Sequence, residues 1–126
     1  MGIVFSFKGD AGAAGSNGAD GVVTYGAITI EEVTSFPYTM VDADFGKMKH
    51  FNSAAAATVN IPDSLTSPAG NQVGVRATGA GQITFAGTGS MTINGANGLK
   101  LRNQYSPGAI IFESATVSYL DGDTEV

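Results

Sequence analysis

The sequence predicts an all-β chain: an antiparallel β-sandwich or jelly roll, homotrimeric, behind an extended glycine-rich N-terminal arm. Three observations predict it. From Val22 onward apolar and polar residues alternate at period two, and no segment carries a convincing 3.6-residue apolar period. Glycine, asparagine and proline cluster between the alternating runs, where tight turns need them. Glycine also falls at every third position from Gly9 to Gly21, the spacing of a triple helix whose crowded axis admits only glycine.

Taken in order, residues 1–8 form a short apolar segment, Ile3, Val4, Phe5 and Phe7, ending at Lys8. It is too short for a signal-peptide core and has no basic region before it, so neither secretion nor a membrane span is expected. Gly2 with Ser6 fits the loose myristoylation pattern, against the blander reading of an apolar anchor strand. Residues 9–21 hold four triplets opened by Gly9, Gly12, Gly15 and Gly18 and closed by Gly21. Without proline to pre-set the backbone, four triplets cannot hold three chains together. The segment reads as a spacer of about 35 to 40 Å, or as a flexible glycine-alanine linker.

Residues 22–126 form the β-domain. Ile28 and Ile30 alternate with Thr29; Ala57, Val59 and Ile61 with Thr58 and Asn60; Val73, Val75 and Ala77 with Gln72, Gly74 and Arg76. Further strands are expected at Tyr38 to Val41, Lys47 to Asn52, Gln82 to Ala86, Ser90 to Ile93, Gly98 to Arg102, Ala109 to Glu113 and Thr116 to Leu120. Turns fall at Asp44-Phe45-Gly46, Pro62-Asp63, Pro68-Ala69-Gly70, Gly79-Ala80-Gly81, Gly87-Thr88-Gly89, Asn94-Gly95, Asn97-Gly98 and Pro107-Gly108. The tetra-alanine Ala54 to Ala57 leads into a strand rather than a helical turn, because Thr-Val-Asn-Ile-Pro follows it. With no tryptophan the core is thin. Phe36, Tyr38, Phe45, Phe51, Phe85, Tyr105, Phe112 and Tyr119 are the candidates to fill it and to pack between chains.

Composition excludes several functions. Charged residues are 13% of the chain, about half the globular norm, and the net charge is −5. No basic cluster exceeds Lys47-Met48-Lys49-His50, so there is no footprint for a phosphate backbone and nucleic-acid binding is not expected. Cysteine is absent, which removes disulfides and thiolate metal sites. The single histidine, His50, lies on the strand face opposite Lys47 and Lys49 and reads as a partly buried structural residue rather than a base. Asp121, Asp123 and Glu125 alternate like calcium ligands but lack the rest of an EF loop, so a solvated tail or turn is expected. Asp42 and Asp44 read as partners of their own turn backbone. Gly79-Ala80-Gly81 and Gly87-Thr88-Gly89 open no helix and carry no Lys-Ser/Thr, so they are hairpin turns rather than phosphate loops. No enzyme, cofactor or metal is expected.

One order of pieces is distinctive: Ser53 to Pro62 (SAAAATVNIP), Pro68-Ala69-Gly70, Gln72 to Phe85 with its Gly-Ala-Gly, Gly87 to Leu101, Gln104-Tyr105-Ser106, Ala109 to Phe112 and Leu120 to Asp123. Over about residues 40 to 123 this order resembles a β-domain common in tailed-bacteriophage virion proteins, among them tail-fibre, head-fibre and capsid-decoration proteins. The tryptophan often seen before the final Gly-Asp is replaced here by Val117-Ser118-Tyr119. The resemblance implies a homotrimeric virion component made in the host cytoplasm, its domain facing outward and its N-terminus attached to the major capsid protein or another virion protein. Ile3, Val4, Phe5 and Phe7 would be the anchor, adding as a strand to a sheet edge.

A capsid decoration (cement) protein or short head fibre is the first expectation, since 126 residues leave no room for a long fibre shaft. The alternative is a receptor-binding tail-fibre or tail-tip trimer that recognises a host surface glycan through loops at Gly79, Gly81, Gly87, Gly89, Asn94 and Asn97. A collagen-plus-jelly-roll protein of the complement or spore-surface sort is disfavoured by the short triplet run. A depolymerase is disfavoured by the lack of a long β-helix.

Overall fold

The computed structural model describes residues 27–126. The anchor residues Ile3, Val4, Phe5 and Phe7 and the triplet glycines Gly9, Gly12, Gly15, Gly18 and Gly21 lie outside the described residues.

Alternation becomes strand almost wherever it was expected. The strands are β1 (Ile30–Val33), β2 (Tyr38–Thr39), β3 (Met48–Phe51), β4 (Ala57–Ile61), β5 (Gln72–Ala77), β6 (Ile83–Gly87), β7 (Thr92–Asn94), β8 (Lys100–Leu101), β9 (Pro107–Phe112), β10 (Val117–Gly122) and β11 (Thr124–Glu125). A 3-10 turn, Asp42–Asp44, sits between β2 and β3. Among the described residues no helix is long and apolar enough to cross a membrane.

The described residues form two sheets. One has the order β1-β3-β5-β9-β10-β7 and the other β11-β8-β6-β4-β2. Both are mixed, which departs from the antiparallel pairing that the tight turns predict. Antiparallel ladders join β9 to β5 and β10, and β8 to β6 and β11. The ladders β1–β3, β3–β5, β2–β4, β4–β6 and β7–β10 are parallel. The cause lies in the path of the chain. From β1 to β9 each successive strand goes to the opposite sheet, so a turn reverses direction across the core instead of joining ladder neighbours. Through β6 the next strand in the same sheet therefore runs parallel, as in a wound coil, whereas β8 and β9 return antiparallel to β6 and β5. The same 26-residue advance separates Met48 from Gly74 in one sheet and Ala57 from Ile83 in the other.

The core fills the space between the sheets. Val59 and Ile61 of β4, Val73 and Val75 of β5, Ile83 and Phe85 of β6, Ile110 and Phe112 of β9 and Leu120 of β10 are all buried, each the inward member of an alternating pair. Phe51 stands at the centre, its ring 6.0 Å from Phe85 across the sheets, 5.9 Å from Tyr38 and 6.2 Å from Phe36. Full burial of each such side chain contributes about 1.5 to 3 kcal/mol. Of the aromatics expected to pack, Phe45 meets Phe112 edge to face at 5.4 Å, whereas Tyr105 and Tyr119 remain exposed.

Candidate functional site

The outer face of the six-stranded sheet is built from the residues that alternate with the core. Its first row runs Ile30, Met48, Gly74, Ala109, Asp121 across β1, β3, β5, β9 and β10. The next runs Gln72, Ile111, Tyr119, Asn94. Asp121 is the single charge in these two rows. Large apolar groups stand in solvent here: Ile28 is 53% exposed, Ile30 60%, Ile111 36% and Tyr119 37%. Met48 lies across Gly74, where a Cβ would come within 3.0 Å of its Cε. With Gly46, Gly70, Gly108 and Ala109 also small, the face is hollow between its apolar edges, a concavity of about 320 Å³. The neighbouring row on this face is Glu32, His50, Arg76, and the hollow itself is lined by one charged residue, Lys47. His50 is half-buried on this outer side, opposite the lysines as expected.

Beside β1 the sheets are closed by charge. Lys49 points inward with Phe51 and is almost fully buried. Its ammonium lies 2.9 Å from Asp44 Oδ1 and donates to Glu31 Oε1 at 2.6 Å, while Lys47 donates to Glu31 Oε2 at 3.0 Å. Asp44 Oδ2 accepts from the Tyr38 hydroxyl at 2.7 Å and from the Val41 amide at 3.0 Å. Burial pulls the Lys49 ammonium down, but the Glu31 and Asp44 carboxylates more than offset this and hold it above the ordinary lysine range. Burial and then the Asp44 hydrogen bond push the Tyr38 phenol up to about 12. Hydrogen bonds from Lys49 and then Lys47 hold Glu31 below the usual carboxylate range. The cluster ties β1, β2, β3 and the 3-10 turn together. Asp44 thus does bond its own turn, as expected, whereas Asp42 reaches across to the Thr66 amide at 2.7 Å.

The candidate loop residues do not form one surface. Gly79 and Gly81 are buried before β6, because the β3–β4 turn passes directly over them: a Cβ on Gly81 would meet the Ala55 carbonyl. Gly87 and Gly89 are exposed at the other end of β6, where Gly89 has φ +65° and accommodates the Asp63 carboxylate. Asn94, the last residue of β7, and Asn97 beyond it are exposed. Beside Ala77, Tyr105 is 62% exposed with φ 72°. Its amide donates to the Ala77 carbonyl at 2.5 Å and its carbonyl accepts from Arg76 at 2.9 Å.

The acidic C-terminus is strand rather than free tail. Asp123 receives Arg102 Nε at 2.8 Å, Arg102 Nη2 at 3.1 Å and the Ser106 hydroxyl at 2.6 Å, and these partners, Arg102 first, hold its carboxyl below the usual range. Glu125 accepts from Gln82 at 2.7 Å. Among the described residues no three histidine, aspartate or glutamate side chains are grouped to hold a metal ion.

Sequence reasoning missed the outer apolar face. Its signal was present in Ala109-Ile110-Ile111-Phe112 of β9, which is apolar on both faces where a half-solvated strand would alternate. Comparison with protein-family models, with curated proteins and with solved structures finds no match for this chain.

Proposed function

We propose that this chain is a non-enzymatic structural protein of a bacteriophage particle: a homotrimeric capsid decoration protein or short head fibre attached through residues 1–8. The observation that carries the assembly part is the apolar outer face of the six-stranded sheet, with Ile28, Ile30, Ile111 and Tyr119 in solvent. These side chains share one sheet face, in a lip at β1 and a ridge on β9 and β10, and exposed apolar groups gathered on one face mark a contact surface. The attachment part is supported by the apolar run Ile3, Val4, Phe5 and Phe7, separated from the domain by the glycine triplets. Three anchors on one trimer bind neighbouring capsid sites at high effective concentration, so each anchor suffices even if weak, and binding only the assembled shell stabilises it.

Electron microscopy of particles with and without the protein tests the proposal. Many copies spread over the shell, lost on deleting residues 1–8, are expected. Absence from purified particles would refute it. A second reading, a receptor-binding trimer, is favoured by one feature, the exposed Tyr105 ring held on a left-handed backbone, since such a ring is a platform for the apolar face of a sugar. A few copies at one vertex, with glycan binding lost in Tyr105→Ala, would select it.

A further inference from the structure

Resting on the homotrimer proposed above, we infer that the outer face of the six-stranded sheet is the surface on which copies of this chain meet, and that they meet head to tail. Ile28 and Ile30 of one copy seat in the hollow beside Ile111 and Tyr119 of the next. The apolar groups of this face occupy two separated places: a lip at the β1 edge, and a ridge on β9 and β10. Between them the floor carries Gly74 and Ala109 and leaves about 320 Å³ of open space. Lip and hollow are complementary shapes on one molecule, and that gives a heterologous contact, which closes into a ring when the rotation permits.

The chain outside the described residues says which ring. It joins this face at Ile28, the residue that also lines the hollow, and seven positions upstream ends the glycine-triplet run at Gly21. A triplet period is satisfied only when three chains converge. Only seven positions in the sequence separate Gly21 from Ile28, and a period that calls for three chains favours a ring of three. The run Ala109 to Phe112, apolar on both sides of β9, is the sequence of a strand covered on both faces. Charge bounds the contact on one side, through Glu32 and Arg76, where it would set register rather than affinity.

The chain has no cysteine, so introduced thiols report unambiguously. The test is a short bis-maleimide cross-linker applied to the full chain carrying Ile30→Cys with Ile111→Cys, each single variant, and a Thr58→Cys with Thr84→Cys pair on the outer face of the other sheet. Both isoleucines are substantially exposed, so the variants retain the fold, checked by circular dichroism. A covalent trimer is expected from the Ile30–Ile111 pair alone. Covalent dimers from Ile30→Cys by itself would replace the head-to-tail contact with a two-fold one. A trimer by light scattering that the Ile30–Ile111 pair fails to cross-link would overturn this face while leaving the trimer standing. A monomer would remove both. As a second measurement, Ile30→Glu and Ile111→Glu each weaken trimer association roughly tenfold or more, as expected for loss of a buried isoleucine; unchanged association in both would also overturn the inference.

Discussion

Replacing Lys49 with methionine tests the charged closure beside β1. The ammonium is 2.9 Å from Asp44 Oδ1, and the two side chains are 5% and 2% exposed. At that separation the gross attraction is about 6 kcal/mol for an effective dielectric near 20, most of which desolvation offsets. The pair's net worth is therefore small, yet removing one partner strands the other. The methionine side chain would fill the space but leave the Asp44 carboxylate buried without a cation, at a cost of about 3 to 5 kcal/mol. Glu31 is 40% exposed, so Glu31→Gln should cost much less than Lys49→Met. Urea unfolding at fixed protomer concentration measures both, and Lys49→Met combined with Asp44→Asn should be less destabilised than Lys49→Met alone. A loss below about 1 kcal/mol in Lys49→Met, or no recovery in the double variant, would refute an ionic closure.

Further consequences concern pH, the core and the glycines. Tyr38 has a phenol raised from 10.0 to about 12, so its contribution is complete below pH 10.0 and disappears as pH rises through about 12. Lys49, raised above 10.5, acts in the same direction, and Tyr38→Phe should flatten the alkaline loss of stability measured by urea midpoints. On the acid side, Glu31 and Asp123 are lowered, so their contributions are present above the usual carboxylate range and vanish as pH falls through the lowered values. Asp123→Asn should reduce the acid dependence of the same midpoints. Phe51→Ala, at the meeting point of Phe36, Tyr38 and Phe85, should cost about 3 to 5 kcal/mol by the same assay. Gly70 has φ +82° with open space around it, whereas a Cβ on Gly81 strikes backbone. Gly81→Ala should therefore destabilise more than Gly70→Ala, which costs about 1 kcal/mol.

The strands were legible because period two is local: Val59 with Ile61, Val73 with Val75 and Ile110 with Phe112 announce their inward faces by spacing alone. Pairing was not. A glycine turn such as Gly79-Ala80-Gly81 reports that the chain reverses, and reversal across the core looks the same in sequence as reversal into a neighbouring strand. Parallel ladders such as Met48 beside Gly74 depend on residues 26 apart and leave no local mark. Lys49 shows a second limit. Alternation placed it opposite His50, but only Glu31 and Asp44, brought in by β1 and the 3-10 turn, make its inward direction tolerable. Asp121, Asp123 and Glu125 resembled a ligand set until Arg102, Ser106 and Gln82 were found holding two of them. The outer face was half legible, since Ile28, Ile30 and the Ala109 to Phe112 run are visible in sequence, yet only the registers align them into rows with Met48 and Tyr119.

Self-association through that face is the claim on which the rest depends. Multi-angle light scattering of the purified full chain over the micromolar range measures it directly. A mass about three times the 12.8 kDa protomer, falling toward one protomer in Ile30→Glu, is the predicted result. A mass of 12.8 kDa at every concentration would contradict it.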